Sequence, residues 1–240
     1  MSVEKRSIEQ IYAEKWQASS KFFMDNGNYI QMAEIIKPYK TVLEIGCGVG
    51  YSTVSLINDG HIVIAVDKNR ECVRRAKNLV RENGCTSQAT FLVGDLIDEA
   101  FRNSIISEQK ADVVICWNPG IQLDNASLQY YMPYMLEYGL TSKQIKETPA
   151  SSYTEMMLWH TCKLAKDMCV PMHIIDRSIK VDEKLVAYYH TLGRDTGFSN
   201  IQLGEIYAET ISDGGVPLVS QGVLLNNQRV SVVLVSVLFT

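Results

Sequence analysis

The sequence predicts an α/β protein of three layers, in which helices cover both faces of one mostly parallel, seven-stranded sheet. Between residues 41 and 192, short apolar runs alternate with helical segments, as in parallel strands joined by crossover helices. Two strand-like segments then follow each other with no helix signal between them, so they should form an antiparallel hairpin. No repeat or Pro/Gly-rich linker divides the 240 residues, so we expect one domain.

The N-terminal segment, residues 1–40, is predicted to form a helical cap. The residues Ser7 to Gln10 have the form of a capping box, which marks the start of a helix. The apolar residues that follow fall on one helical face: Ile8, Ile11, Tyr12 and Trp16. A second helix is predicted over 29–37, with Pro38 ending it.

The alternating region supplies the predicted parallel strands and their connections. The strands are predicted at residues 41–45, 61–66, 90–93, 111–117 and 170–175. The helices are predicted at residues 51–58, from the Asn69 cap to Gly84, from a capping box at Ser152–Glu155 to Lys166, and at 182–192 before Gly193. The closing antiparallel strands are predicted at 201–210 and 229–239.

The bulk composition is that of an ordinary globular protein. Hydrophobic residues make up 46% and charged residues 21%, which is enough apolar material for a sizeable core. The formal net charge is -4, and no basic face is visible. Proteins that grip phosphate backbones usually carry such a face, so a nucleic-acid substrate is disfavoured.

Cysteine usage and hydropathy set further expectations. None of the six cysteines forms a C-x-x-C pair, and the histidines show no ligand spacing, so we expect no metal site. The N-terminal residues lack the apolar stretch of a signal peptide, and the longest apolar run, 230–239, is too short to span a membrane. We therefore expect a cytoplasmic protein without membrane association.

A glycine-rich turn after the first predicted strand carries the strongest functional signal. It reads Glu44-Ile45-Gly46-Cys47-Gly48-Val49-Gly50, and the next helix points its free N–H groups at the same space. The dinucleotide fingerprint G-x-G-x-x-G fails, because the sixth position counted from Gly46 is Tyr51. The pattern is instead an acidic residue followed by alternating glycines.

This pattern resembles the first motif of class I S-adenosylmethionine-dependent methyltransferases, which have a Rossmann-like fold. Asp67 ends the second strand about twenty residues after the loop, where a carboxylate accepts hydrogen bonds from ribose hydroxyls. Asp95 follows the third strand, where the family places an acceptor for the adenine amine. The resemblance implies S-adenosylmethionine as cofactor, S-adenosylhomocysteine as product, and these cofactor-binding residues: Glu44, Gly46, Cys47, Gly48, Gly50, Asp67, Lys68, Asp95, Leu96 and Asn118.

Each of these acids also has a structural interpretation. Glu44 could be a buried acid that accepts backbone N–H bonds, and Asp67 could be an acid at a helix N-terminus, stabilised by the helix dipole. Asp95 could be a turn aspartate. Cys47 could be only a small residue that the loop tolerates.

The reaction site is predicted where the fourth strand ends, at Asn118 and Pro119. The segment resembles the N/D-P-P-Y/F motif of amino-group methyltransferases, in which the Asn oxygen and the Pro carbonyl aim a planar amine. Gly120 and Ile121 depart from that motif and leave out its aromatic residue, for which Trp117 is the candidate replacement. The structural alternative is an Asn-Pro turn at a strand end.

Residues 121–150 are predicted to form a substrate lid at the carboxyl edge of the sheet. Their aromatic side chains could contact a planar or cationic substrate, and the candidates are Tyr130, Tyr131 and Tyr134. The alternative is that these residues pack the insertion onto the domain. His160 and His173, in apolar segments, are candidates for a general base.

The leading hypothesis is a methyltransferase that acts on a small molecule or on an amine or amide nitrogen. One alternative is a catalytically silent cofactor-binding protein with a regulatory or partner role, because the loop binds a ligand without reacting. A second alternative is a nucleic-acid or protein N-methyltransferase, suggested by the Asn-Pro motif. We expect a small-molecule or protein substrate and a monomer or homodimer.

Overall fold

The computed structural model describes residues 7–120, 123–178, 180–211, 218–220, 223–225 and 229–240. The strands are β1 (Thr41–Ile45), β2 (Ile62–Asp67), β3 (Ala89–Val93), β4 (Val113–Trp117), β5 (Met172–Ser178), β6 (Ile201–Ile211), β7 (Leu218–Ser220), β8 (Val223–Leu225) and β9 (Arg229–Phe239). The helices are α1 (Ile8–Asp25), α2 (Asn28–Glu34), α3 (Tyr51–Asn58), α4 (Arg70–Glu82), α5 (Glu99–Glu108), α6 (Asn125–Tyr138), α7 (Ser142–Glu147), α8 (Pro149–Asp167) and α9 (Glu183–Thr196).

A seven-stranded sheet in the order β3-β2-β1-β4-β5-β9-β6 forms the centre of the domain. Strands β1 to β5 are parallel, whereas β9 lies antiparallel between β5 and β6. The predicted fold class, with its antiparallel ending, is confirmed. The strand order reverses between β1 and β4, and the carboxyl ends at such a reversal form the crevice in which α/β proteins bind ligands.

Side chains that alternate along the buried strands build a core on each face of the sheet. Val42 points into the layer that contains Phe23 of α1 and Leu56 of α3. Its neighbour Leu43 points to the opposite layer, where Leu164 of α8 packs. This period of two explains why the strands read as continuous apolar runs in the sequence.

Three predicted helix boundaries are wrong. Helix α2 ends at Glu34 rather than at residue 37, so Pro38 does not end it. Helix α8 begins at Pro149 rather than at the predicted Ser152 capping box, since Thr148 is the N-cap and proline suits the first helical turn. Helix α9 passes through Gly193 and ends before Gly197, which adopts the left-handed conformation. Gly193 is needed for packing instead, because a Cβ there would lie 2.6 Å from Cδ1 of Ile201.

The described part of the predicted lid, from residue 123 to residue 150, is helical and contains α6, α7 and the start of α8. These helices share a small apolar core, which includes Met135, Ile145 and Met156. Ile121 lies outside the described residues, as does most of the predicted Gly/Pro/Asn-rich connection between β6 and β9. The described part of this segment is therefore a folded unit with its own core.

The next three observations, on membrane spans, metal ligands and cysteines, concern the described residues. No helix among them has both the length and the apolar character needed to cross a bilayer. Nor do their His, Cys, Asp and Glu side chains form any group of three or more that could hold a metal ion. Five of the six cysteines are buried small residues, and Cys169 is exposed.

Candidate functional site

A cavity of about 530 Å³ opens at the carboxyl ends of β1, β2, β3 and β4, which is the crevice predicted by the strand order. It brings together most of the residues that the sequence singled out: Gly46, Cys47, Gly48, Asp67, Lys68, Asp95, Leu96, Trp117, Asn118, Pro119 and Tyr131. Four other predicted site residues, Glu44, Gly50, Tyr130 and Tyr134, are not part of its lining. The volume is in the range of small-molecule sites.

The glycine loop is held against the end of β2. The N–H groups of Gly46 and Cys47 both donate to the carbonyl oxygen of Val66, at 2.8 and 3.0 Å. Gly50 has a φ of 91°, and a Cβ on it would lie 2.8 Å from Cα of Ala76 on α4. Gly50 therefore allows two helices to approach, and is required for packing rather than for ligand contact.

Glu44 lies beneath the loop, with a side chain that is 2% exposed. Its carboxyl oxygens accept hydrogen bonds from Ser52 Oγ and, at 2.6 Å, from Thr53 Oγ1. Burial raises the pKa of Glu44 to about 7, although these two hydroxyl donors oppose the shift. The residue thus ties β1 to the first turn of α3 and supports the loop from below.

Asp67, at the end of β2, faces the cavity and organises its own surroundings. One carboxylate oxygen accepts from the Gly48 N–H at 2.9 Å, and the other accepts from the Asn69 N–H at 2.8 Å. Burial raises the pKa of Asp67, while the two backbone donors favour its charged form. Each oxygen retains lone-pair capacity for a further donor such as a hydroxyl.

Asp95 belongs to a hydrogen-bonded network that links the sheet to the lid. The Tyr131 hydroxyl donates to Asp95 Oδ2, and Lys68 Nζ donates to the hydroxyls of Tyr131 and Tyr153 at 2.7 and 2.9 Å. The Lys68 ammonium also lies 4.2 and 4.4 Å from the centroids of these two rings. Burial lowers the pKa of Lys68 to about 8, against the pull of Asp95 and Asp67.

Asn118 marks the opposite end of the cavity. Its φ of 50° is unusual for a residue other than glycine and turns the chain sharply after β4. Its side-chain oxygen Oδ1 accepts a hydrogen bond from Arg177 Nε at 3.0 Å. The Asn118 oxygen, which was predicted to orient an amine, is thus already hydrogen-bonded to a guanidinium.

Arg177 is a site residue that sequence reasoning missed. It is half-buried near the end of β5, lines the cavity, and has its Cζ 4.5 Å from the centroid of the Phe23 ring. Burial lowers the pKa of Arg177 to about 10, so the side chain stays charged at neutral pH. Its only sequence signal was its place just beyond the end of a predicted strand.

Helix α1 forms the wall of the cavity beside Asn118. The Tyr12 hydroxyl donates to the carbonyl oxygen of Gly120 at 2.7 Å, and Trp16 lines the cavity one turn further along the helix. The N-terminal helix therefore completes the site. Tyr12 and Trp16 thus line the cavity, although their shared helical face is equally typical of core packing.

The other side chains that the sequence offered as substrate or base candidates lie in environments that range from the buried core to the outer surface. Trp117 donates its indole N–H to His173 Nδ1 at 3.0 Å, within the buried core. His173 also contacts Ser236 Oγ at 2.9 Å, and burial lowers its pKa to about 3, which does not suit a general base for the cavity. His160 does not line the cavity. Tyr130 is 56% exposed on the outer surface of α6.

Comparison with known proteins gives a family match and a set of structural relatives. Residues 42–135 match the model of a methyltransferase domain family. None of the curated proteins compared with the chain matches it. The matched segment runs from β1 through most of α6 and includes the glycine loop, Asp67, Asp95 and Asn118.

Several solved structures share the fold at low identity. The NPUN_R0239 protein from Nostoc punctiforme PCC 73102, provisionally described as an O-methyltransferase, has a TM-score of 0.57 and 14% identity over 100% of this chain and 64% of its own. PH1948 from Pyrococcus horikoshii, provisionally described as an RNA methyltransferase, has a TM-score of 0.50 and 12% identity over 89% and 81%. EvdMO1 has a TM-score of 0.51 and 14% identity over 88% of this chain, which spans 39% of EvdMO1.

At these identities the structural likeness establishes the fold, and the family match adds the domain type. Together they confirm the predicted resemblance to class I methyltransferases. The methyltransferase-domain match supports the predicted cofactor, S-adenosylmethionine.

Proposed function

Because residues 42–135 match a methyltransferase domain and the sheet has the class I order, we propose that this protein transfers the methyl group of S-adenosylmethionine to a small-molecule acceptor. One observation carries the proposal. Along the strand order β3-β2-β1-β4, one cavity is lined in turn by Asp95, Asp67, the glycine loop and Asn118. This is the order in which an extended cofactor would present its adenosine and its reacting sulfonium.

The residues at the adenosine end have the acceptors that this cofactor needs. In this proposal the Asp67 carboxylate accepts from the ribose hydroxyls, and Asp95 accepts from the adenine amine. Lys68 donates to the hydroxyls of Tyr131 and Tyr153 at this end and so fixes the two side chains beside it. The glycine loop brings backbone close to the ligand without interference from a Cβ.

The walls of the cavity favour a small acceptor. Tyr12 of α1 is hydrogen-bonded to Gly120, and Tyr131 of α6 is hydrogen-bonded to Asp95, so both helices are fixed over the carboxyl edge of the sheet. Methyl transfer needs little acid-base chemistry, because the sulfonium is already a good leaving group. The enclosure would serve to align the nucleophile with the methyl group.

The environment of Asn118 makes an amine acceptor less suitable than the sequence motif implied. Its Oδ1 already accepts from Arg177, and a guanidinium beside the reacting centre repels a protonated amine. The same charge favours an acceptor that carries negative charge. Asn118 would then hold Arg177 and the turn after β4 in place.

The first test is binding of S-adenosylhomocysteine, measured by calorimetry. We expect one molecule to bind per chain. The second test incubates the protein and methyl-labelled S-adenosylmethionine with the small-molecule fraction of a cell extract. We expect Asn118→Ala to slow label transfer by about tenfold or more, as expected for a misplaced reacting group.

The matched control is Asn103→Ala, which changes an exposed residue of α5 outside the cavity and should transfer label at the wild-type rate. If the wild-type protein binds S-adenosylhomocysteine but transfers no label to any fraction, the catalytically silent alternative replaces this proposal. Absence of binding would remove the cofactor site itself.

A further inference from the structure

The end of the cavity beside Asn118 contains a positive charge whose hydrogen-bond partners are all neutral. Within the described part of the chain, Arg177 donates to Asn118 Oδ1 at 3.0 Å, to Thr210 Oγ1 at 3.3 Å and to Ser19 Oγ at 3.2 Å. A guanidinium has five N–H donors, so two remain for another acceptor. The neighbouring Asp176 carboxylate is occupied by the Tyr189 hydroxyl and by the Arg177 backbone N–H.

A second unused donor lines the same cavity. The Trp16 side chain is 9% exposed, and its buried Nε1 has no hydrogen-bond partner among the described residues. The centre of its ring system lies 5.8 Å from Cζ of Arg177. Buried N–H groups in native proteins almost always have an acceptor, so the indole N–H of this lining residue is a candidate second donor beside Arg177.

We propose that Arg177 and Trp16 form a binding site for a carboxylate group beside the methyl-transfer position. A carboxylate offers two oxygen atoms with about four lone-pair sites, and the planar guanidinium fork matches this geometry. The faces of Phe23 and Trp16 stabilise the cation but supply no negative charge. The site thus has donors and charge for an anion, and no carboxylate of the described residues accepts a hydrogen bond from the guanidinium.

The carboxylate could belong to either of two molecules, and the choice of these two rests on the proposed function. One is the cofactor, whose methionyl part ends in a carboxylate. The other is the methyl acceptor. The chemistry at Arg177 is the same in both cases, and the experiment separates the two sources.

The experiment measures affinities of defined ligands by calorimetry. The cofactor arm compares S-adenosylhomocysteine with its decarboxylated analogue. The acceptor arm titrates benzoate, with benzamide as the neutral isostere, into the free protein and into its S-adenosylhomocysteine complex. The variants are Arg177→Gln and Trp16→Phe, and the control is Arg194→Gln, an exposed arginine of α9.

If the cofactor supplies the carboxylate, Arg177→Gln weakens S-adenosylhomocysteine by about tenfold or more and leaves the decarboxylated analogue within twofold. If the acceptor supplies it, S-adenosylhomocysteine keeps its affinity, whereas benzoate binds the wild type in preference to benzamide and loses this preference in Arg177→Gln. Trp16→Phe replaces the indole with a smaller aromatic ring that lacks the N–H, and should shift the same ligand by a smaller factor. Arg194→Gln should change neither.

The proposal is overturned if Arg177→Gln affects neither ligand, or if it weakens charged and neutral ligands equally. Should Arg177→Gln fail to fold, which thermal unfolding reports, Trp16→Phe carries the test with the same comparisons. Failure of the wild type to bind either nucleoside would overturn the proposed function instead. In that case the benzoate arm still tests the carboxylate site, because it uses the free protein.

Discussion

The two ends of the cavity have opposite polarity. At the proposed adenosine end, Asp67 and Asp95 present carboxylate oxygens at the ends of β2 and β3. At the proposed transfer end, Arg177 and Trp16 carry N–H donors from β5 and α1. The first arrangement suits hydroxyl and amine groups, and the second suits an anionic group. The cavity would therefore fix the direction of an elongated ligand by charge as well as by shape.

The prediction with the largest expected effect tests whether the end of the cavity that contains Asp67 and Asp95 determines cofactor affinity. Asp67→Ala removes the proposed acceptor for the ribose hydroxyls and also leaves the Gly48 N–H without its carboxylate partner. Hydrogen bonds to a charged group contribute about 1.5–3 kcal/mol each, so two of them predict a loss of more than about 100-fold in S-adenosylhomocysteine affinity. Calorimetry measures this loss directly.

The control for this change is Asp167→Ala, an exposed acid at the end of α8 that pairs with Lys163. It should bind the cofactor product like the wild type. A loss of less than about tenfold in Asp67→Ala would show that the acidic end does not hold the ligand, and the contrast between the two ends would lose its functional meaning.

The next effect concerns Glu44, which supports the loop without reaching either end. Its folded pKa of about 7 lies above the ordinary value of 4.5, so the folded protein binds an extra proton between these values. The resulting stabilisation is complete below pH 4.5 and is lost as the pH rises through 7. Its upper limit is about 3 kcal/mol in the free energy of unfolding.

Glu44→Gln should therefore flatten the pH dependence of stability between pH 4.5 and 7, as measured by urea unfolding. Glu34→Gln, which changes an exposed acid paired with Lys37, should retain the wild-type profile. Parallel profiles for wild type and Glu44→Gln would mean that Glu44 is ionised throughout, and its hydroxyl partners would then outweigh burial.

The prediction with the smallest expected effect tests whether the Tyr131 hydroxyl holds α6 against the end of the cavity that contains Asp95. Tyr131→Phe removes the hydroxyl that joins Asp95 to Lys68. We expect the free energy of unfolding to fall by about 1 kcal/mol and the amide hydrogens of α6 to exchange faster. Tyr130→Phe, at the adjacent exposed position, is the control. Equal exchange in the two variants would mean that apolar packing alone holds the lid.

The sheet was predictable because its strands are buried on both faces, and runs such as Val113 to Trp117 are apolar throughout. Helices α5 and α6 were not predicted. Tyrosines and methionines occupy several faces of α6, and Pro133 within it reads as a helix breaker. For α5 a signal was available, since Asp98 caps the helix and Glu99 occupies its first turn.

The two ends of the site also differed in how well the sequence predicted them. Asp67 and Asp95 follow strands at the spacing of a known motif, so they could be located by counting. Arg177 belongs to no motif, and its partners Ser19 and Thr210 are distant in sequence. The contacts of Lys68 with Tyr131 and Tyr153 likewise span 63 and 85 residues. Only the fold brings such groups together.

The position of β9 between β5 and β6 has a kinetic consequence. The adenosine end is built on β1, β2 and β3, which are joined by single crossover helices. Arg177 pairs with Leu234 of β9, and β6 reaches β5 only through that strand. Pairings so distant along the chain form slowly, because the intervening loop must first lose entropy. During refolding, the end of the cavity built on β1, β2 and β3 should thus form before the end that contains Arg177.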